Sequence, residues 1–296
     1  MIDVRRLKLL HELAQQGTVA ATADALQLTG PAVSQQLAVL EREAGVPLLE
    51  KRGRNVVLTA AGRLLVSHAD IILGDVSAAE SALAALKANG SGTVRIAAFA
   101  TAARTLVAPI WTDVPGVQLR LVDAEPDAAT SLLHQTIDIA IVHSYTLLPR
   151  PTPANCEVHE LLEEPVLFAV SPKTAAQKHL VEGQKVRLTR FADERWLAPT
   201  KEFSCHEMIQ RACGAAGFVP DIVAEASDFA VLVALVAAGA GVALVPRMAI
   251  PDGHEPVSLH PLAVPVTRKI YALTRMGSAR RPDIRAVLER LRASTD

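Results

Sequence analysis

Residues 18–62 read TVAATADALQLTGPAVSQQLAVLEREAGVPLLEKRGRNVVLTAAG and carry the clearest structural signals of the chain. Thr18 can cap a short helix that extends to Leu26. A turn then leads to Pro31, and proline is favoured at the first position of a helix. The helix that starts there is expected to end at Gly45, since glycine is a common C-terminal stop. The stretch therefore predicts two helices joined by a tight turn.

Elements on either side of this helix pair complete a small domain. Apolar residues at helical spacing predict a first helix over residues 4–16. Two short strands, 47–50 and 55–59, are separated by the basic turn 51–54. Together these elements predict a winged helix-turn-helix. Its second helix would enter the major groove of DNA, where the short polar and amide side chains of Ser34, Gln35 and Gln36 suit base edges.

The same stretch resembles the LysR-type transcriptional regulators. The similarity lies in the helix pair, in LEREAGVPLLEK (40–51) and in LTAAG (58–62), with no gap over these residues. The chain departs from the family pattern at Thr29-Gly30, where Ser-Gln is usual, and at Leu49, where Phe is usual. The alternative interpretation of Ser34, Gln35 and Gln36 is that they simply form a solvent-exposed helix face. The resemblance and the groove chemistry together predict these DNA contacts: Thr18, Thr29, Pro31, Ala32, Ser34, Gln35, Gln36, Lys51, Arg52 and Arg54.

Composition sets the wider limits. The chain has 296 residues, 50% of them apolar and only 3% aromatic, which favours several aliphatic cores in an α/β protein. The net charge of −1 does not by itself indicate nucleic-acid binding. Three cysteines without a CxxC pair predict neither a disulfide framework nor a zinc site, and suit a reducing compartment. We expect a cytoplasmic protein without a secretory signal, metal or cofactor. The uncharged run 229–246 is divided by glycines and predicts a buried helix and strand rather than a membrane span.

A long helix follows the winged domain. Residues 59–87 carry an apolar stripe interrupted only by Gly74. Such a stripe on a projecting helix either packs on its own domain or pairs with a second copy, and the second alternative is favoured. The predicted division is a DNA-binding domain (1–58), a dimerisation helix (59–89) and a regulatory domain (93–296). The expected partners are double-stranded promoter DNA, a second copy in a homodimer or homotetramer, and RNA polymerase.

The remaining residues alternate between strand and helix patterns, which predicts a largely parallel sheet covered on both faces. The predicted strands are near 94–100, 117–122, 138–143, 166–170, 195–198, 222–226, 242–245 and 268–273. The predicted helices are near 102–111, 127–135, 204–216, 228–238 and 282–292.

The resemblance continues here in VRIAAFAT (94–101), TIDIAIVHS (136–144) and LVALVAAGAGVALVP (232–246). It implies two α/β lobes similar to periplasmic solute-binding proteins, joined by crossing strands near 164–170 and 263–269, with a small-molecule effector in the cleft. The first lobe would comprise 93–164 and 267–296, and the second 165–266. The implied effector contacts are Thr101, Ala102, Asp127, His143, Pro199, Thr200 and Phe203.

These residue types suit a small carboxylate, because strand ends and helix N-termini at a cleft present free amides. Asp127 would suit an amine as well, which points to an amino-acid-like molecule. Thr101 and Asp127 also have a structural alternative as helix caps, and His143 as a buried imidazole.

Three other functions receive less support from the sequence. A metabolic enzyme would use His143, Cys205 and His206, but no P-loop, nucleophile elbow or dinucleotide fingerprint occurs. A thiol-redox regulator of the same family would use Cys205 and Cys213. These cysteines are eight residues apart on a predicted helix, roughly 12 Å along its axis, so a disulfide requires the helix to unwind. A solute-binding protein is disfavoured by the missing signal sequence.

Overall fold

The N-terminal domain consists of three helices and a two-stranded wing. The computed structural model describes residues 1–52, 55–87, 92–125, 136–153, 156–250, 253 and 256–294. The first elements are α1 (Val4–Gln16), α2 (Val19–Ala25), α3 (Gly30–Ala44), β1 (Leu49–Arg52) and β2 (Asn55–Leu58). The strands pair antiparallel, with Leu49 opposite Leu58. The predicted winged helix-turn-helix is thus confirmed.

Local capping explains where these helices begin and end. The Thr18 hydroxyl accepts the Ala21 amide at 3.2 Å, and the Thr29 hydroxyl accepts the Ala32 amide at 3.4 Å. α1 and α3 each end at a glycine in the left-handed region. The three helices and the wing then enclose one small core that includes Leu10, Val33, Leu37, Leu40 and Leu48.

α4 (Ala60–Lys87) is a helix of 28 residues, as the apolar stripe predicts. It spans roughly 42 Å at the rise of an α-helix. Among the side chains of α4 that the structure describes, four large apolar ones are exposed in the single chain: Leu64, Ile72, Val76 and Leu83.

The C-terminal body contains nine strands: β3 (Gly92–Ala98), β4 (Val117–Asp123), β5 (Ile139–Tyr145), β6 (Cys156–Val170), β7 (Arg195–Pro199), β8 (Asp221–Ala226), β9 (Ala243–Pro246), β10 (Ser258–Pro261) and β11 (Thr267–Arg275) within the described ranges. In the first lobe the strand order is β4-β3-β5-β11-β6, with β3 parallel to both its neighbours. β11 is antiparallel to β5 and β6.

The second lobe is built around the last residues of β6, which pair with β9 on one side and with β10 on the other. β7 and β8 pair in parallel, and the Leu197 amide donates to the Val242 carbonyl at 2.8 Å, which joins them to the same lobe. Its core contains Phe168, Phe191 and Trp196. The two-lobed α/β architecture is therefore confirmed.

Helices cover these sheets. They are α5 (Ala100–Ala102), α6 (Pro172–Gln177), α7 (Ser204–Ala215), α8 (Phe229–Ala237) and α9 (Pro282–Ala293). The run 229–246 forms α8, a turn with Gly239 at φ 80°, and β9, as predicted. In the part of the chain that the structure describes, no helix combines the length and apolar character needed to cross a membrane.

One predicted helix is irregular, and three elements were not predicted. A regular helix over 102–111 does not form: α5 continues as a π turn (Ala103–Val107) and a 3-10 turn (Ala108–Ile110), because Pro109 has no N–H for the helical ladder. The strand over 156–165 was missed because four glutamates hide its alternation, and such charges are typical of an edge strand. β10 and α6 were also missed. The predicted helix 127–135 and the last two residues of the predicted dimerisation helix, 88–89, lie outside the described ranges.

Candidate DNA-binding and effector sites

The exposed side of α3 forms one continuous ridge. Val33, Leu37 and Leu40 face the core and are at most 2% exposed. The exposed residues follow one another at three or four positions, except for the adjacent pair Ser34 and Gln35, which places them on the opposite face of the helix. They are Pro31, Ser34, Gln35, Ala38 and Arg42.

Gln36 lies beside this ridge rather than on it. Its side-chain carbonyl accepts a hydrogen bond from Arg6 Nη1 at 3.3 Å. Arg6 is itself held by two hydrogen bonds to Glu43, from Nε at 3.0 Å and from Nη2 at 2.6 Å. Hydrogen bonding to Arg6 lowers the pKa of the Glu43 carboxyl. Gln36 is thus turned toward α1, unlike Ser34 and Gln35.

The other predicted DNA contacts have varied surroundings. Thr18 and Thr29 use their hydroxyls as helix caps, and Ala32 is partly buried. Lys51 is exposed on β1. The side chain of Arg52 and the whole of Arg54 lie outside the described residues.

A cavity of about 380 Å³ opens between the end of β5 in the first lobe and the start of α7 in the second. Two of the predicted effector contacts, His143 and Phe203, line it. Two cations, Arg150 and Lys201, and two acids, Glu202 and Glu207, also line it, together with Ser144, Tyr145, Leu148, Pro149, Pro151 and Ser204.

His143 is the buried polar group of this cavity, only 2% exposed. Its Nε2 is 3.0 Å from the Ser204 hydroxyl, which links the two lobes directly. Its ring meets the edges of Phe99 and Tyr145, with centroids 4.5 Å and 5.3 Å away. No described residue shares a hydrogen bond with its Nδ1, although that atom is buried. Burial, and then the charges of Arg268 and Arg150, holds the pKa of His143 well below its usual value.

The two crossing strands carry a buried ion pair next to Tyr145, a residue of the cavity, since Arg268 stands opposite Tyr145 in the sheet. Arg268 on β11 donates from Nε to Glu164 on β6 at 2.7 Å, and both side chains are nearly inaccessible. The second carboxylate oxygen of Glu164 accepts the Met248 amide at 2.6 Å. Arg268 Nη2 also donates to the Thr101 hydroxyl at 3.3 Å. Its guanidinium lies 5.3 Å from the Phe99 ring centroid.

Four predicted effector contacts do not line this cavity. Thr101 instead lies beside Arg268, and Ala102 is fully buried in the first lobe's core. The Pro199 carbonyl accepts from His206 Nδ1 at 2.8 Å, and the Thr200 amide donates to the Ala226 carbonyl at 3.2 Å. Asp127 lies outside the described residues.

Sequence reasoning missed Arg150, Lys201, Ser204 and Arg268. Arg150 stands between two prolines in a loop, where no periodic signal marks it. Arg268 is opposite Glu164 only because β6 and β11 pair in that register.

Comparison with known proteins decides the family. Residues 4–63 match the model described as a bacterial regulatory helix-turn-helix protein of the lysR family, and residues 87–296 match the LysR substrate binding domain. The chain belongs to the LysR family of transcriptional regulators. It is therefore a DNA-binding regulator with a helix-turn-helix and an effector-binding domain.

Several LysR-family relatives cover nearly the whole chain. The regulator CbbR of Rhodospirillum rubrum is 28% identical over 299 residues, covering 98% of this chain and 96% of the relative. The hydrogen peroxide-inducible genes activator of Escherichia coli O157:H7 is 27% identical over 304 residues, covering 100% of this chain and 96% of the relative. The crystal structure of full-length CbnR with its target DNA shares the fold, with a TM-score of 0.54, 23% identity and full coverage of both chains.

The two cysteines of α7 in this LysR-family chain are both buried. Burial raises the pKa of Cys205 to about 11 and that of Cys213 to about 12. Cys205 Sγ lies 2.6 Å from the Tyr145 hydroxyl. Across the described residues no group of three histidine, cysteine or acidic side chains is arranged to hold a metal ion.

Proposed function

We propose that the interlobe cavity binds a small carboxylate, of which an amino-acid-like metabolite is the preferred candidate, and that this ligand controls how α3 and the wing read DNA. The observation that carries the proposal is that His143, which lines a cavity between two lobes, has a buried Nδ1 with no partner among the described residues. Buried polar groups are normally hydrogen-bonded, so such an atom at a cavity points to a bound molecule.

The charges around the cavity support an anionic ligand that also carries a donor. Arg150 and Lys201 favour a carboxylate, and the cavity reaches the N-terminus of α7, a helix of 12 residues whose first amides attract anions. Glu202 and Glu207 favour an amine at the same ligand. Because the ligand would touch both lobes, it would favour one angle between them.

Calorimetry with a panel of amino acids and small carboxylates tests this proposal. Arg150→Gln should weaken the binding of a true ligand by about five- to tenfold, through loss of one charge-assisted contact at the exposed mouth. Arg187→Gln is the matched control, because Arg187 is exposed and does not line the cavity. Absence of any binding, or equal binding by both variants, would contradict the proposal.

We further propose that the ridge of α3 enters the major groove and that the wing contacts the phosphates or the minor groove. The proposed contacts remain those expected from the sequence, with Gln35 rather than Gln36 nearest the bases because it lies on the exposed ridge. Ala38 and Arg42 join them, since they share that ridge. A homodimer or homotetramer, contact with RNA polymerase and a cytoplasmic location belong to the same proposal, because promoter DNA is the site of action.

Thiol-redox sensing receives less support. A reactive cysteine needs a thiolate, and the raised pKa values of Cys205 and Cys213 disfavour it. Counting free thiols after peroxide treatment decides between the two modes: we expect Cys205 and Cys213 to stay reduced. Loss of both thiols together with altered DNA binding would favour the redox mode. The enzyme alternative is disfavoured because His206 is engaged through both ring nitrogens, with Pro199 and Gln210.

A further inference from the structure

One short segment of α4 is packed on two sides. On the first side, Asp70 lies against α1 of the DNA-binding domain, where its Oδ1 is 2.7 Å from His11 Nε2. Both side chains are less than 10% exposed. This contact ties the linker helix to the first helix of the DNA-binding domain.

On the second side, the same segment meets the first lobe of the effector domain. A Cβ added at Gly74 would lie 2.8 Å from the Met276 carbonyl oxygen, which is closer than side chains pack. A Cβ added at Gly277 would lie 3.6 Å from the Ile71 carbonyl oxygen, an ordinary van der Waals distance, so the turn and the helix are packed against each other here. Glycine weakens a helix interior relative to alanine, so the close approach is the physical reason for Gly74 within α4.

Polar contacts hold this junction in place. Arg280 Nη1 donates to both carboxylate oxygens of Asp75, at 2.8 Å and 3.0 Å. The Gly277 amide donates to Glu157 of β6 at 2.8 Å, which anchors the turn to the sheet of the first lobe. The turn after β11 is therefore bound both to the linker helix and to the effector lobe.

β11 leads from this junction to β5, the strand whose last residues line the cavity. Arg268, which contacts Glu164 and Thr101, is the second residue of β11 and stands opposite Tyr145 of β5, which lines the cavity. Met276 directly follows the last residue of β11. A paired strand is a stiff element, so displacement at one end is carried to the other.

We propose that residues 70–75 of α4 and the turn 276–280 form a clamp that couples the effector cleft to the DNA-binding domain within one chain. β11 transmits the position of the cleft to the turn, Gly74 transmits it to α4, and Asp70 transmits it to α1. This regulation rests on the proposed effector function of the cleft. Because coupling is reciprocal, DNA binding at α3 must also change the clamp and β11.

Hydrogen exchange of the full-length protein tests the clamp without a known effector. The probe is a DNA duplex selected by the wild-type protein from a random library. In the wild type we expect DNA to change amide exchange in residues 267–280 by about tenfold, a local free-energy change of about 1.4 kcal/mol. Gly74→Ala should abolish this response, because its new methyl group forces the turn away.

Gly214→Ala is the matched control, since it also adds a methyl group within a helix but meets nothing within 4 Å. It should respond to DNA as the wild type does. Arg280→Ala removes only the exposed ion pair and should weaken the response. It provides a second test of the clamp in case Gly74→Ala does not fold. A response that persists in Gly74→Ala, or one that is absent from the wild type, overturns the clamp. Calorimetry of amino acids and small carboxylates with Gly74→Ala tests the cleft separately. If a ligand binds to this variant although DNA no longer changes the exchange of residues 267–280, the proposed effector site is still supported.

Discussion

Two adjacent glutamines on α3 have different surroundings, and their side chains should therefore contribute differently to DNA reading. Gln35 is exposed on the ridge, whereas Gln36 accepts a hydrogen bond from Arg6. Gln35→Ala should relax base preference at one position, at a cost of about 1–3 kcal/mol. Gln36→Ala should leave that preference unchanged. Selection of sites from a random DNA library by each variant measures the difference, and an unchanged consensus for Gln35→Ala would show that the groove assignment is wrong.

His143 should make folding stability depend on pH. Its pKa is lowered well below the usual value by burial and by Arg268 and Arg150, so the folded protein keeps the ring neutral. This contribution is full above pH about 6.5, where the unfolded chain is also neutral, and it is lost as pH falls toward the folded pKa. Between pH 7.5 and pH 5.5, wild type should lose about 1 kcal/mol more unfolding free energy than His143→Gln. Urea unfolding at the two pH values measures this difference. An equal loss of unfolding free energy in wild type and His143→Gln would contradict the prediction.

At the scale of elements, the two crossing strands depend on one buried charge pair. Arg268→Met leaves Glu164 buried without its partner and should lower the unfolding free energy by about 3–5 kcal/mol. Adding Glu164→Leu should recover most of that loss, because it removes the orphaned charge. The neighbouring pair Lys269 and Glu163 is exposed, so Lys269→Met should cost no more than about 0.5 kcal/mol. Denaturant unfolding of the four proteins decides whether the pair acts as described; a loss below 1 kcal/mol for Arg268→Met would show that Glu164 finds another partner or water.

At the scale of the whole molecule, α4 should join two chains so that each presents one α3 to DNA. Leu64 and Leu83 are 61% and 60% exposed in the single chain, which a helix pair would cover. Leu64→Lys with Leu83→Lys should weaken self-association at least about a hundredfold, because two charges would enter an apolar seam. Sedimentation measures this change.

DNA binding supplies the second readout of that prediction. A dimer reads two half-sites related by two-fold symmetry, so the double variant should lose affinity for a full site but bind a single half-site as the wild type does. Ser67→Lys, an exposed change outside the apolar residues of α4, serves as the control. Equal binding of the full site by all three proteins would show that α4 does not set the spacing.

The amino-acid sequence alone was enough to predict the winged domain and most of the strands and helices of the two lobes. Those features depend on local signals, such as the threonine caps before α2 and α3, the glycine stops at Gly17 and Gly45, and apolar periodicity. The motif resemblance also identified the family, because the similarity in residues 18–62 is continuous.

Only the tertiary structure decided which residues meet. Arg268 pairs with Glu164, 104 positions away, because β6 and β11 align in one register. His143 meets Ser204, 61 positions away, because two lobes close on each other. In the sequence, Gly74 only indicates a weak point in a helix. The structure explains it, because the Met276 carbonyl oxygen lies too close to Gly74 for a side chain to fit. These contacts join distant parts of the chain, and no local pattern encodes them.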